Sequence, residues 1–77
     1  MLRTLATVPT ATPVVLQQIG GERGFRRRLM ELGLVPGTTV EIVRVAPLGD
    51  PLELRVRGCN LSIRRQEAEL IVVGERA

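Results

Sequence analysis

The chain contains no histidine, lysine, tryptophan or tyrosine; Phe25 is its one aromatic residue, Cys59 its one cysteine and Ser62 its one serine. Each scarcity closes off a chemistry. Without histidine the usual base near neutral pH is missing, and Cys59 has no imidazole to activate it. Ser62 alternates with core residues on a strand, and no carboxylate pair stands out, so no catalytic residue is expected and the chain reads as a non-enzyme. One thiol and scattered acids make no transition-metal site, so neither metal ligands nor a cofactor are expected. A single cysteine excludes an internal disulfide. Without aromatic platforms for stacking bases, nucleic-acid binding is not expected either, although an arginine triplet could contact phosphates. No apolar run approaches the roughly 20 residues of a membrane helix. Leu2 and Leu5 stand isolated among an arginine and threonines, with no cleavable signal pattern. The expected location is the cytoplasm.

What remains is a small aliphatic protein. Apolar residues make up 44% of the chain, enough for one core and too many for disorder. The 77 residues form one domain, 1–77, which buries only about 60% of the surface its unfolded chain exposes. The net charge of +3 comes from eleven arginines against eight acids. It is interleaved except at Arg26-Arg27-Arg28 and names no partner by itself.

Residues 1–13, with Pro9, Pro13 and four threonines, read as an extended lead-in with room for one helical turn near Leu2 to Leu5. Val14 to Ile19 is a first strand whose imperfect alternation leaves the buried face open. Gly20, Gly21 and Gly24 follow, at a spacing that matches neither a P-loop nor a dinucleotide fingerprint. Phe25, Leu29 and Leu32 recur at helical spacing and share one face of an amphipathic helix. Gly33 sits where that helix needs a left-handed terminator, with Leu34 in the position of the accompanying apolar contact. Val35 to Thr38 suits a type II turn. Val40 to Ala46 is a second strand in which the apolar face switches after Ile42, which signals a bulge or sharp bend. Leu52, Leu54 and Val56 alternate with Glu53, Arg55 and Arg57 in a half-buried strand.

Placing Gly58 and Cys59 as the two loop residues of a type II′ hairpin sets Val56 beside Leu61, Leu54 beside Ile63 and Glu53 across from Arg64. Gln66 to Glu69 can make one helical turn, and Leu70 to Val73 closes as a last strand. The predicted core is Phe25, Leu29, Leu32, Val40, Leu54, Val56, Leu61 and Ile63. The fold class is mainly β: a small, strongly bent barrel of about five short antiparallel strands with one short α-helix.

Two features suit protein docking. Arg26 and Arg27 point away from the apolar helix face and lie near a helix N-terminus, where positive charge opposes the macrodipole. Either they are simply solvated, with Arg28 covering the core edge, or they serve a partner. The loop Ala46 to Pro51, APLGDP, is stiffened by two prolines. Leu48 near its tip either folds back on the barrel or is offered to a partner. Arg26, Arg27 and Leu48 are thus the candidate partner-binding residues.

Four segments in order, RLMELGLVPG (Arg28 to Gly37), APLGDP, RGCNLSIRR (Arg57 to Arg65) and Glu67-Ala68, together resemble the FeoA family of small cytoplasmic accessory proteins of bacterial ferrous-iron transport. The resemblance implies an SH3-like barrel and, as partner, the cytoplasmic GTP-binding part of a FeoB membrane iron transporter. It also carries a weak, family-level association with transition-metal ions, and a homo-oligomer is compatible with it. Cys59 departs from the pattern, standing where the family often has an aromatic residue. The alternative reading is an SH3-like regulatory module related to the last domain of metal-dependent repressors, which would be expected fused to a winged-helix region. Less favoured is a small nucleic-acid-binding barrel.

Overall fold

A computed structural model describes residues 2–75. Six strands carry the fold: β1 (Arg3–Thr4), β2 (Val14–Ile19), β3 (Thr39–Val45), β4 (Leu52–Val56), β5 (Cys59–Ile63) and β6 (Ile71–Glu75). They form one sheet in the order β1-β6-β2-β3-β4-β5, with every pairing antiparallel. A 3-10 turn spans Leu5–Thr7, helix α1 spans Arg23–Glu31 and helix α2 spans Arg65–Ala68. The architecture is therefore mainly β as expected, with six strands against about five, one short helix, and in α2 the single helical turn expected near Gln66 to Glu69.

Bulges bend the sheet at the two places where the apolar alternation breaks. In β2, Val14 and Leu16 are buried, Gln17 and Gln18 are exposed, and Ile19 is buried again. The pairing with β6 shifts register between Leu16 and Gln18, so an extra residue explains the imperfect alternation and returns Ile19 to the core side. In β3 the register against β4 shifts between Ile42 and Arg44, which is the switch anticipated from Val43 and Val45.

The stop of α1 also follows expectation. Gly33 has φ +102°, its N–H donates to the Met30 carbonyl, and the Leu34 N–H reaches back to Leu29. This is the double bond pattern of a Schellman terminator. The expected turn follows, with the Thr38 N–H donating to the Val35 carbonyl at 3.1 Å.

Four expectations are corrected. Leu32 is 54% exposed, while Leu34 is fully buried. The helix ends at Glu31 and the chain reverses at Gly33, so the place in the core that helical spacing gave to Leu32 goes to Leu34. Phe25 and Leu61 are only partly buried against the core.

The β4–β5 register is the second correction. Val56 lies opposite Cys59, Leu54 opposite Leu61, Leu52 opposite Ile63 and Glu53 opposite Ser62. The loop is Arg57-Gly58, and both residues have positive φ, 53° and 79°. That is the geometry of a type I′ turn, whose twist matches the flanking strands. The register differs from the expected one by two residues, and a shift of two keeps every apolar side chain on its face.

Third, residues 1–13 are not merely a lead-in. β1 pairs with β6, and Leu5 and Val8 are buried in the core. Fourth, α1 begins at Arg23, before the glycine expected to precede it, so Arg26 and Arg27 lie mid-helix. Arg28 falls in the last turn, where positive charge is favourable. The macrodipole therefore bears on Arg23, at the first helical position, and not on Arg26 or Arg27.

Candidate docking surface

Helix α1 presents two different flanks. On one, Arg23, Arg26, Arg27 and Met30 face the end of β2 and the Val35–Pro36 turn across a hollow of about 610 Å³. Its apolar wall comes from Ile19, Val35, Pro36 and Met30, the last of which is 49% exposed. On the sheet side the hollow is walled by the bulged end of β2 and by the Pro36 turn. Arg27 makes an exposed ion pair with Glu31 at 3.7 Å, one helical turn on. That local gain is small, about 0.3–0.5 kcal/mol. Arg23 and Arg26 have no acidic partner among the described residues. An apolar trough edged by uncompensated arginines can take an apolar side chain from a partner that carries acids around it.

On the other flank, Arg28 and Leu32 face Asp50, Pro51 and the end of β5 across a second hollow of about 500 Å³. Arg28 is committed here. Its guanidinium pairs with Glu67 and lies 5.8 Å from the centre of the Phe25 ring. The Glu67 carboxylate also accepts the Arg64 backbone N–H at 2.8 Å, which caps α2. That backbone bond, aided by the Arg28 guanidinium and partly opposed by burial, holds the Glu67 carboxyl below the usual carboxylate range.

Leu48 is 97% exposed, so it does not fold back on the barrel. The loop beneath it is rigid for reasons beyond its prolines. The Gly49 N–H donates to the Ala46 carbonyl at 2.7 Å, and the Ala46 N–H to the Pro51 carbonyl at 3.1 Å. Arg65 then clamps the loop from outside. Its backbone N–H donates to Asp50 Oδ1 at 3.1 Å, its Nε to the Gly49 carbonyl at 2.9 Å, and its Nη1 to the Ala6 carbonyl at 3.1 Å. One guanidinium thus ties the loop to the 3-10 turn and to α2. Sequence reasoning missed Arg65 because its acceptors are mostly backbone carbonyls, which leave no trace in side-chain identity.

The three candidate residues do not share one hollow. Arg26 and Arg27 line the first, while the loop contributes Asp50 and Pro51 to the second, across α1. Leu48 lines neither of these. Cys59 is exposed and free. Among the described residues no three His, Cys, Asp or Glu side chains come together as a metal-holding cluster. No described helix is long and apolar enough to cross a membrane.

A strongly bent antiparallel sheet with one helix laid beside it defines a small SH3-like barrel. The FeoA domain family model matches residues 3–75, and the chain belongs to that family. It is 38% identical over 69 residues to the Fe(2+) transport protein A/Fe(2+) transporter FeoB fusion protein of Porphyromonas gingivalis, a match spanning 90% of this chain and 8% of the fusion protein. The solution structure of FeoA from Chlorobium tepidum superposes with a TM-score of 0.90 at 40% identity, covering 96% of this chain and 70% of that one. FeoA from Stenotrophomonas maltophilia, solved with zinc and described as an SH3 domain protein, gives 0.78 at 32% identity, covering 96% and 98%. A manganese-dependent transcriptional repressor gives 0.87 at 10% identity, covering 97% of this chain and 42% of that one. That last likeness is one of fold alone.

The family belongs to ferrous-iron transport.

Proposed function

We propose that this chain is a non-catalytic accessory protein of ferrous-iron uptake that acts in the cytoplasm by binding the cytoplasmic GTP-binding part of a FeoB-type transporter. The observation that carries the reading is the Porphyromonas gingivalis fusion, in which a matching segment and a FeoB transporter are one polypeptide. Covalent fusion gives two modules a high mutual effective concentration, which is useful where they work in contact. Iron is the transporter's cargo in this reading, and the barrel need not hold it.

The docking face uses Arg26 and Arg27 at the edge of the apolar hollow, together with Leu48 on its clamped loop. Arg26, which has no acidic partner among the described residues, and Arg27, whose exposed pair with Glu31 is weak, steer an acidic partner during approach, and an exposed leucine on a rigid loop packs on contact with little ordering cost. The two should therefore differ kinetically. The experiment is binding of the chain to the immobilised cytoplasmic part of the transporter at two ionic strengths. Replacing Arg26 and Arg27 together with alanine should slow association and flatten its salt dependence. Leu48→Ala should speed dissociation and leave the salt slope alone. If both folded variants bind like the parent, the face lies elsewhere, and the strand arginines Arg55, Arg57 and Arg64 become the next candidates.

A further inference from the structure

Between the first turn of α1 and helix α2 lies a third hollow, of about 500 Å³. Its apolar walls are Phe25, the chain's one aromatic residue, which is only partly buried, and Leu70, which is 41% exposed. Gly21 adjoins both with φ +90°, and a Cβ there would come within 3.1 Å of each side chain. Any other residue at position 21 would therefore crowd this wall as well as strain the backbone.

The rim of this hollow is acidic. Glu22, Glu67 and Glu69 line it, and among the described residues no arginine does. Glu67 is committed to Arg28 and to the Arg64 N–H. That pair also neutralises Arg28, the guanidinium beside the Phe25 ring. Glu22 and Glu69 are exposed and have no cationic partner among the described residues. In a chain of net charge +3, an apolar surface with this rim inverts the local sign. The hollow beside Arg26 and Arg27 has the opposite rim, so one partner segment does not suit both.

We infer that this acid-rimmed hollow takes a basic segment of the transporter from the cytoplasmic side of its membrane-spanning part. The inference rests on the transporter reading above, and charge selects the segment. Short cytoplasmic stretches next to membrane spans carry an excess of lysine and arginine, and they adjoin the apolar span itself. They are the part of a membrane transporter whose sign is fixed by the way the chain enters the membrane. A lysine or arginine head of such a stretch meets Glu22 and Glu69, while its stem and an apolar neighbour cover Leu70 and the Phe25 ring. Bound this way, the chain touches the GTP-binding part with one flank of α1 and the membrane-proximal part with the other. It then couples the positions of the two.

The test compares binding of the chain to two immobilised targets: the whole transporter in phosphatidylcholine nanodiscs, and its isolated cytoplasmic GTP-binding part. Neutral lipid keeps the bilayer's own charge out of the comparison. The parent should bind the whole transporter more tightly. Glu22→Lys combined with Glu69→Lys should weaken that binding about tenfold and leave binding to the isolated part unchanged. Glu22→Gln with Glu69→Gln removes the charge without reversing it and should lose less, in the same direction; it also covers the case where the lysine variant does not fold. Leu70→Ser should speed dissociation from the whole transporter alone. If the parent binds the isolated part and the whole transporter equally, and the variants follow it, this inference falls while the docking reading stands. If the glutamate variants weaken binding to the isolated part as well, the hollow belongs to that interface and the membrane-proximal occupant is wrong. A parent that binds neither target overturns both.

Discussion

Single residues separate what helical spacing implies from what the fold does with it. Leu29 and Leu32 sit three apart on the amphipathic pattern, yet Leu29 is fully buried and Leu32 is half exposed. Leu29→Ala should cost about 2–5 kcal/mol, a large share of the stability of a domain this small. Leu32→Ala should cost under about 0.5 kcal/mol. Urea unfolding of the two variants measures the contrast, and equal losses would mean that the helix does not end at Gly33. Arg57 makes a second case. It holds a left-handed conformation that costs an ordinary L-residue about 1–2 kcal/mol. Arg57→Asn, which creates the Asn-Gly pair favoured in type I′ turns, should raise stability by about 0.5–1 kcal/mol. A drop would instead point to a loop at Gly58-Cys59.

At the level of elements, β2, the bulge in β3 and the stop of α1 could be read directly, because each is written in local periodicity or in one glycine. The β4–β5 register could not. A period of two is unchanged by a shift of two, so the side-chain pattern fits both pairings and only the backbone of the turn decides. The Arg65 clamp was hidden for a related reason, since its acceptors at Ala6 and Gly49 lie far away in sequence.

Helix α2 carries the pH dependence that can be assigned to a named group. The Glu67 carboxyl is held low in the fold, chiefly by the Arg64 N–H. Its contribution to stability is therefore present above the carboxyl's unfolded value and is lost as pH falls through the lower folded one. Glu67→Gln should be less stable than the parent near neutral pH and approach it in acid. Thermal melts across that range test this, and a constant difference would place the effect in packing.

At the scale of the whole molecule, the barrel class was readable from the count of short strands, and the family from four motifs in order. The first edge strand was not, because β1 pairs with β6, an element from the other end of the chain. Leu5 and Val8 looked like lead-in until that pairing brought them into the core. Of the candidate docking residues, the exposure of Leu48 was left open by its sequence and is now plain, whereas the arginines turned out to edge a hollow that no local pattern announced.

The absence of histidine and of any described metal-holding cluster leads to a further expectation. Anaerobic calorimetry should detect no one-to-one ferrous-iron binding tighter than about 1 μM, and such binding would show that the barrel handles the cargo itself.

The most direct measurement of the docking role is a titration of the isotopically labelled chain with the cytoplasmic part of the transporter at physiological salt, followed by backbone amide shifts. The shifts should concentrate at Ile19, Met30 and Val35 around the arginine-edged hollow and at Leu48 on its loop. No binding there, or tighter binding to duplex or single-stranded nucleic acid under the same conditions, would contradict a protein-docking role.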